Sequence, residues 1–292
     1  MTSIKLGSKT LRIRWGRVAV YAVLILLTVT FLFPYVWLIS SSFKSTQAIF
    51  NPEFHLLPID PEGNMQFVIT NYTQAFDYLN LGTVFKNTLI VCVANTVLNL
   101  FLNSLAGYAF ARIPFKGRGP VFAVMLMSMM VPGTVMLIPN YIIINELGMY
   151  DTLFALICPY IMSVYNIFLM RQQFFAVSKE LEEAAELDGA GLFRTFVVIA
   201  LPLVTPMLVV LGITTFMWNY NNFMWPLVAT QSESVFTLAR SLGSLVSAGS
   251  NNVNLYPVML AGAVIVSLPM IVVFFVLQKY IIGGISVGAV KG

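Results

Sequence analysis

The sequence predicts an all-α integral membrane protein with six transmembrane helices. Of its 292 residues, 58% are hydrophobic and 10% are charged, whereas soluble domains average about 45–50% and about 25%. The mean hydropathy is correspondingly high, at +0.84. Six apolar runs each approach the roughly 20 residues that a helix needs to cross a bilayer. These runs cover residues 18–40, 88–111, 120–139, 152–170, 203–225 and 257–278.

Lysine and arginine orient the predicted helices, because cytoplasmic loops keep most of the positive charge. If the N-terminus is cytoplasmic, alternation of sides leaves only Lys44, Lys86 and Arg240 outside, and the other thirteen of the 16 basic residues inside. Both termini are therefore predicted to be cytoplasmic. This bias also explains the net charge of +4, so we expect no nucleic-acid partner. The predicted domains are a basic N-terminus (1–17), one transmembrane domain (18–280) and a C-terminal tail (281–292).

The first apolar run follows basic residues, as in a signal peptide, but it exceeds the usual apolar core of roughly 7–15 residues and no A-x-A site follows. We therefore expect an uncleaved membrane helix. Pro132 and Gly133 interrupt the third run, Pro159 the fourth and Pro269 the sixth. Breaks of this kind mark places where a membrane helix bends or lines a cavity, although a kink that serves helix packing alone is the simpler interpretation.

Two loops on the outer side are long. Residues 45–86 contain several prolines and Gly63, which predict turns more than a folded domain. Residues 229–256 are polar, and we expect 247–254 to form a flexible tip. The single histidine, His55, lies in the first of these loops and is expected to be solvated.

Polar residues in the second and fifth apolar runs are candidates for a transport path. Asn95, Asn99 and Asn103 are spaced i, i+4, i+8 and share one helical face. Their amides suit sugar hydroxyls, but they suit hydrogen bonds to a neighbouring helix or a partner subunit equally well. The fifth run combines amides with aromatic rings that cover sugar C–H faces, although aromatic belts near helix ends have a similar composition. This second cluster consists of Trp218, Asn219, Tyr220, Asn221 and Asn222.

The six apolar runs contain no Asp, Glu, Lys, Arg or His. Proton-coupled carriers need an ionisable relay in the membrane, and an intramembrane enzyme needs a nucleophile with a base or a metal. Cys92 and Cys158 fall inside apolar runs, so we expect neither a disulfide nor a metal site. The chain also lacks a G-x-x-x-x-G-K-[ST] phosphate loop. Energy for uphill transport must therefore come from another subunit.

A charged segment, 180–206, lies between the fourth and fifth predicted spans on the cytoplasmic side. Its first nine residues hold five carboxylates, which a helix N-terminus stabilises. Leu181 and Ala184 are expected to share one face with Ala185. Gly189 is expected to stop this helix, and Pro202 to end a second apolar segment. The pattern predicts a short helix, a turn and a second helix.

This segment carries a motif. Glu183-Ala184-Ala185 is followed by Gly189 and by Ile199-x-Leu201-Pro202. The residue types of this motif and the spacings between them resemble the EAA loop of ABC importer permeases. Three further stretches resemble the carbohydrate permeases of the maltose-transporter type, specifically the smaller of their two permease partners. They are 106–112, the C-terminal 288–292, and 220–227, where Tyr220-Asn221 stands in place of the Trp-Asn of the family pattern.

The resemblance implies an importer in the bacterial or archaeal cell membrane, with a cytoplasmic EAA coupling helix in this multi-pass chain. Its expected partners are a second homologous permease, two ABC ATPase subunits and an extracytoplasmic solute-binding protein that delivers a sugar. ATP and Mg²⁺ would be bound by the ATPases, and this chain would hold no cofactor and catalyse no reaction. An ion-independent secondary carrier or channel for a small polar solute is the alternative. The expected ATPase-coupling residues are Glu182, Glu183, Ala184, Ala185, Asp188, Gly189, Leu192, Ile199 and Pro202.

Overall fold

The structure of the chain, a computed structural model, describes residues 3–6, 9–12, 15–60 and 62–289, with side chains over 15–60 and 62–280. The predicted C-terminal tail therefore lies outside the described side chains, as do most basic residues of the predicted N-terminus. Strands β1 (Ser3–Leu6) and β2 (Lys9–Arg12) pair in antiparallel fashion. Nearly all of the remaining described chain that has regular structure is helical.

The helices follow one another along the chain with short connections, except for the longer segment 50–69. They are α1 (Trp15–Ser42), α2 (Thr46–Ile49), α3 (Thr70–Leu79), α4 (Leu81–Arg112), α5 (Arg118–Ser128), α6 (Leu137–Glu146), α7 (Leu153–Ile157), α8 (Val164–Ala176), α9 (Lys179–Leu187), α10 (Leu192–Thr195), α11 (Leu201–Leu203), α12 (Thr205–Asn221), α13 (Met224–Ala229), α14 (Leu238–Asn251) and α15 (Tyr256–Ala289). Short 3₁₀ turns (Cys158–Tyr160, Glu233–Val235 and Val253–Leu255) and a π segment (Phe196–Ala200) complete the order.

Within the described residues, three helices are long and apolar enough to cross a membrane, or five spans if each of two bent pairs counts as one. The fourth predicted span is such a pair, in which α7 with its 3₁₀ turn meets α8 at 45°. The segment Leu192–Leu203 meets α12 at 80°. The third predicted span is not a single helix, because α5 ends at Ser128 and α6 begins only at Leu137. The break spans Pro132 and Gly133, as the sequence indicated.

Two expectations about the later part of the chain were wrong. Pro269 does not interrupt the sixth span, because it lies inside the continuous helix α15. Neighbouring helices and small local adjustments relieve the effect of proline in membrane helices. The predicted flexible tip at 247–254 is also largely helical, since α14 continues to Asn251. Burial of Leu245 anchors this helix in spite of its polar composition.

The chain divides into two compact units. The first comprises Met1–Phe76 and Val246–Ile265. Here Asn71 Nδ2 donates to the carbonyls of Ser42 and Lys44, at 2.9 Å each. Lys44 is buried, and its Nζ donates to the His55 carbonyl. Burial lowers the pKa of Lys44.

The second unit comprises Asp77–Leu245 and Val266–Gly292 and is built around α4, which packs against α8 and α12. Gly107 allows the close approach of α4 and α8, since a Cβ there would lie 2.7 Å from the Cβ of Met170. The rings of Tyr108, Phe174 and Phe196 pack together next to this contact. The two candidate sites described next both belong to this unit.

Candidate functional site

The acidic segment forms helix α9, whose ends are both closed by local hydrogen bonds. At its start, the Ser178 side chain accepts from the Glu180 backbone N–H at 3.3 Å. At its end, Gly189 has a φ of +80°. The N–H groups of Gly189 and Ala190 bond to the carbonyls of Glu186 and Ala185, the pattern of a Schellman motif. The predicted helix stop at Gly189 is therefore present.

Helix α9 and the start of α10 present an exposed face, which we call the docking surface. Leu187 and Leu192 are 90% and 64% exposed on a segment that is rich in carboxylates. Ala184 lies on this face, whereas Ala185 is buried and does not share it as expected. The docking surface consists of Leu181, Glu183, Ala184, Leu187, Leu192 and Phe193.

Glu182 points away from the docking surface and into the protein. Its Oε1 accepts from Arg112 Nε at 2.9 Å, and only 14% of its side chain and 6% of that of Arg112 are exposed. Its Oε2 lies 3.5 Å from the Tyr108 hydroxyl. The Glu182 carboxylate therefore makes its polar contacts within the chain.

The remaining predicted coupling residues lie on both sides of the turn. Asp188 caps the end of α9 and is exposed, like Gly189. Ile199 is half-buried in the π segment, and Pro202 is exposed in α11. Neither belongs to the docking surface; both lie in the segment Leu192–Leu203, which meets α12 at 80°.

A cavity of about 400 Å³ lies between α4, the 3₁₀ turn of the fourth span, α8 and α12. Three of the predicted pathway residues, Asn99, Trp218 and Asn219, line it. The Trp218 ring is 51% exposed and packs edge-on against Tyr160, with 4.7 Å between the ring centroids. The other lining residues are Tyr160, Met162, Ser163, Tyr165, Asn166, Thr214 and Thr215.

All three asparagines of the stripe on α4 bond to the neighbouring broken span, and one of them, Asn99, also lines the cavity. Asn95 Nδ2 donates to the Leu156 carbonyl at 3.4 Å, and Asn103 Oδ1 accepts from the Ser163 N–H at 3.0 Å. These bonds satisfy backbone groups that the break between α7 and α8 leaves without helical partners. Asn95 and Asn103 do not line the cavity and act as supports for the broken span.

Asn99 both bonds to the broken span and lines the cavity. Its Nδ2 donates to the Tyr160 carbonyl at 3.1 Å, and its Oδ1 accepts from Asn166 Nδ2 at 2.7 Å. Asn166 Nδ2 also lies 3.3 Å from the Thr215 hydroxyl. Asn166 and Thr215 were missed by the sequence reasoning. The signal for Asn166 was an amide placed shortly after the break at Pro159.

The other aromatic and amide residues of the fifth span do not line the cavity. Tyr220 is buried, and its hydroxyl donates to the Val266 carbonyl at 2.7 Å. Asn221 is exposed and bonds within its own helix, to the Met217 carbonyl. Asn222 caps the end of α12. These three residues belong to the framework around the cavity.

The chemistry of the cavity is uncharged. Its walls carry amides, hydroxyls and aromatic rings, and none of its lining residues is ionisable near neutral pH. No group of three or more His, Cys, Asp or Glu side chains is placed to hold a metal ion in the part of the chain that the structure describes. The arrangement suits a neutral polar ligand with some apolar surface.

Comparison with known proteins identifies the family. Residues 103–287 match the family described as "Binding-protein-dependent transport system inner membrane component". The chain is 35% identical to the arabinooligosaccharides transport system permease protein AraQ of Bacillus subtilis, over 94% of this chain and 96% of that protein. It is 30% identical to the lactose transport system permease protein LacG of Rhizobium radiobacter, over 97% and 99% of the two chains.

A solved structure agrees in fold. A chain from the crystal structure of a bacterial ABC transporter involved in the import of the acidic polysaccharide alginate aligns with a TM-score of 0.78 and 25% identity. The alignment covers 93% of this chain and 99% of the other. The resemblance indicated by the EAA motif is thereby confirmed, and the chain belongs to the inner membrane components of binding-protein-dependent transport systems, as a permease of the ABC transporter class.

Proposed function

We propose that this chain is one of two different permease subunits of an ATP-driven importer, and that it forms half of the membrane path for a sugar or oligosaccharide. An extracytoplasmic solute-binding protein would deliver the sugar. The names of the relatives support the carbohydrate class. The cavity beside α4 supports it independently, because amides beside exposed aromatic rings are suited to the hydroxyls and C–H faces of sugars.

The proposed topology has six spans and cytoplasmic termini. In it, α5 and α6 together form the third span, broken near Pro132, the bent pair of α7 and α8 forms the fourth, and α12 forms the fifth. Irregular backbone at membrane depth must be buried in protein or line a water-filled space. Residues 129–136 would therefore be covered by the second permease or by the path itself. Helix α9 then lies on the cytoplasmic side, where the basic residues concentrate.

The docking surface is the proposed binding site of an ABC ATPase subunit. The observation that carries this assignment is the exposure of Leu187 and Leu192 on a segment that is acidic and capped at both ends. Large exposed apolar side chains among polar ones mark protein–protein contacts. Two ATPase subunits would bind ATP and Mg²⁺, one beneath each permease, and closure of the pair would rock the spans as rigid bodies.

Two substitutions test the docking assignment. We expect Glu183→Lys to reverse a charge at the centre of the docking surface, and Gly189→Asp to strain the left-handed turn and add a carboxylate beside it. Both variants should insert into the membrane and assemble with the second permease, but retain less ATPase subunit on purification and import less sugar. The charge-matched control is Glu146→Lys, at the exposed end of α6 on the predicted outer side. Undiminished sugar-stimulated ATP hydrolysis and uptake in both variants would refute the assignment.

The proposed cargo is neutral. A carboxylated sugar would bury its charge against uncharged walls, which is unfavourable without a paired cation. Binding measurements on the associated solute-binding protein, comparing neutral and uronic oligosaccharides of equal length, test this point. Preference for the uronic sugar would place the charge-bearing contacts in the partner permease.

A further inference from the structure

The ion pair of Arg112 and Glu182 is buried directly beneath the docking surface. The neighbouring Glu183 faces solvent, so the two adjacent carboxylates have opposite surroundings. Apolar residues of similar volume often stabilise a protein as well as a buried ion pair does. Stability alone therefore does not account for this pair.

Arg112 joins three helix ends. It is the last residue of α4, its Nη2 donates to the carbonyl of Val177 at the end of α8, and its Nε donates to Glu182 in the first turn of α9. A cation is favoured at the C-terminal ends of α4 and α8, and an anion at the N-terminal end of α9. Tyr108, one turn before Arg112, approaches the second oxygen of Glu182. The guanidinium fork thus fixes the direction of α9 relative to two membrane helices.

Helix α4 connects this junction to the cavity without a break. It contains no proline, and Asn99 lies thirteen residues before Arg112, about 20 Å along the axis of an α-helix. At that level Asn99 bonds to the Tyr160 carbonyl and to Asn166 in the cavity wall. A displacement of α9 that is carried by Arg112 would therefore move the amides of the cavity together with α4.

We propose that Arg112 and Glu182 are positioning residues, which form the joint through which the docking surface moves α4, and that Glu182 does not itself bind the ATPase. This inference rests on the proposed function. It changes the role of Glu182 from a docking contact to an internal link, and it gives Arg112 a role that the EAA motif does not include.

The test uses the complete importer in proteoliposomes. The main variant is the double substitution Arg112→Met and Glu182→Leu, which removes both charges and leaves neither buried alone. We expect it to retain the ATPase subunits and the thermal stability of the wild type, while sugar uptake per ATP hydrolysed falls about tenfold, within the usual range of coupling between sites. The matched control is Lys116→Met with Glu146→Leu, which removes one cation and one carboxylate from exposed positions outside α9.

Two results would contradict the proposal that Arg112 and Glu182 form this joint. Wild-type uptake per ATP in the double variant would reduce the pair to a packing role, and loss of the ATPase subunits would make Glu182 a docking contact. If the double variant does not fold, Glu182→Gln provides the test. This substitution keeps the shape of the Glu182 side chain, and we expect it still to lower sugar uptake per ATP hydrolysed. A wild-type complex that binds no ATPase would instead refute the proposed function. Failure of the proposed function can therefore be told apart from failure of the proposed joint.

Discussion

Trp218 and Trp225 lie on the same stretch of chain but in opposite environments. Trp218 is half-exposed in the cavity, whereas Trp225 is 2% exposed and donates from Nε1 to the Ala155 carbonyl at 2.9 Å. We expect Trp218→Ala to raise the half-saturating sugar concentration for uptake about fivefold, since a ring contact contributes about 0.5–1.5 kcal/mol beyond its area. Uptake measured across a range of binding-protein-delivered sugar concentrations checks this.

Trp225→Ala provides the contrast. Truncation of a buried tryptophan costs about 3–5 kcal/mol, so this variant should lower the thermal unfolding temperature of the purified complex. Trp218→Ala should leave that temperature almost unchanged, because its ring is already half in solvent. If Trp218→Ala left the half-saturating concentration unchanged, or if its effect tracked a loss of stability, the cavity would not be the sugar path.

The asparagines show how far residue types predict a site. The spacing of Asn95, Asn99 and Asn103 placed them on one face, and the structure confirms that all three are buried on α4. Which of them reaches a cavity depends on the break in the fourth span, because the path of α7 and α8 decides what each amide meets. The hydrogen bond between Asn99 and Asn166 joins residues that are far apart in sequence. The spacing of residues within one segment could therefore not predict it.

The contact between α4 and α8 rests on a glycine. At Gly107 an added Cβ would meet the Cβ of Met170 at 2.7 Å, the Arg171 nitrogen at 3.0 Å and the Ile167 carbonyl oxygen at 3.2 Å. We expect Gly107→Ala to push the two helices apart and to cost about 1–3 kcal/mol, the usual range for overpacking. Thermal unfolding of the purified complex measures the loss.

Gly82 is the matched control on the same helix. No heavy atom lies within 4 Å of the position that its Cβ would occupy, so Gly82→Ala should be neutral or stabilise the helix by up to about 1 kcal/mol. Equal stabilities of the two variants would show that the close approach of α4 and α8 is not a constraint on the fold.

Local signals predicted helix α9 well, because its acidic first-turn residues and its stop glycine act within a few residues of one another. Longer elements were predicted less completely. Hydropathy located the third apolar run but could not show where α5 ends, since lipid-facing and helix-broken segments have the same composition. Helix α14 was missed because its polar face dominates the sequence, while its order comes from tertiary burial of Leu245.

On the scale of the whole molecule, the predicted spans are free of charge and the charged residues are distributed unequally between the two predicted sides of the membrane. The six predicted apolar runs contain no ionisable relay of Asp, Glu, Lys, Arg or His, and the acidic docking surface and the joint at Arg112 and Glu182 lie on the predicted cytoplasmic side. Proton or ion coupling has no residues to act through in such a path. In our proposal, the work of transport therefore enters at the docking surface and reaches the path through α9, the joint and α4.

ATP dependence of uptake tests this claim most directly. The two permeases, the ATPases and the solute-binding protein would be reconstituted in proteoliposomes, and sugar accumulation measured with ATP on the side of the docking surface, with ionophores present to collapse ion gradients. The account predicts accumulation against the sugar gradient that requires both ATP and the binding protein and is unaffected by the ionophores. Accumulation without ATP that disappears with the ionophores, or simple equilibration across the membrane, would contradict it.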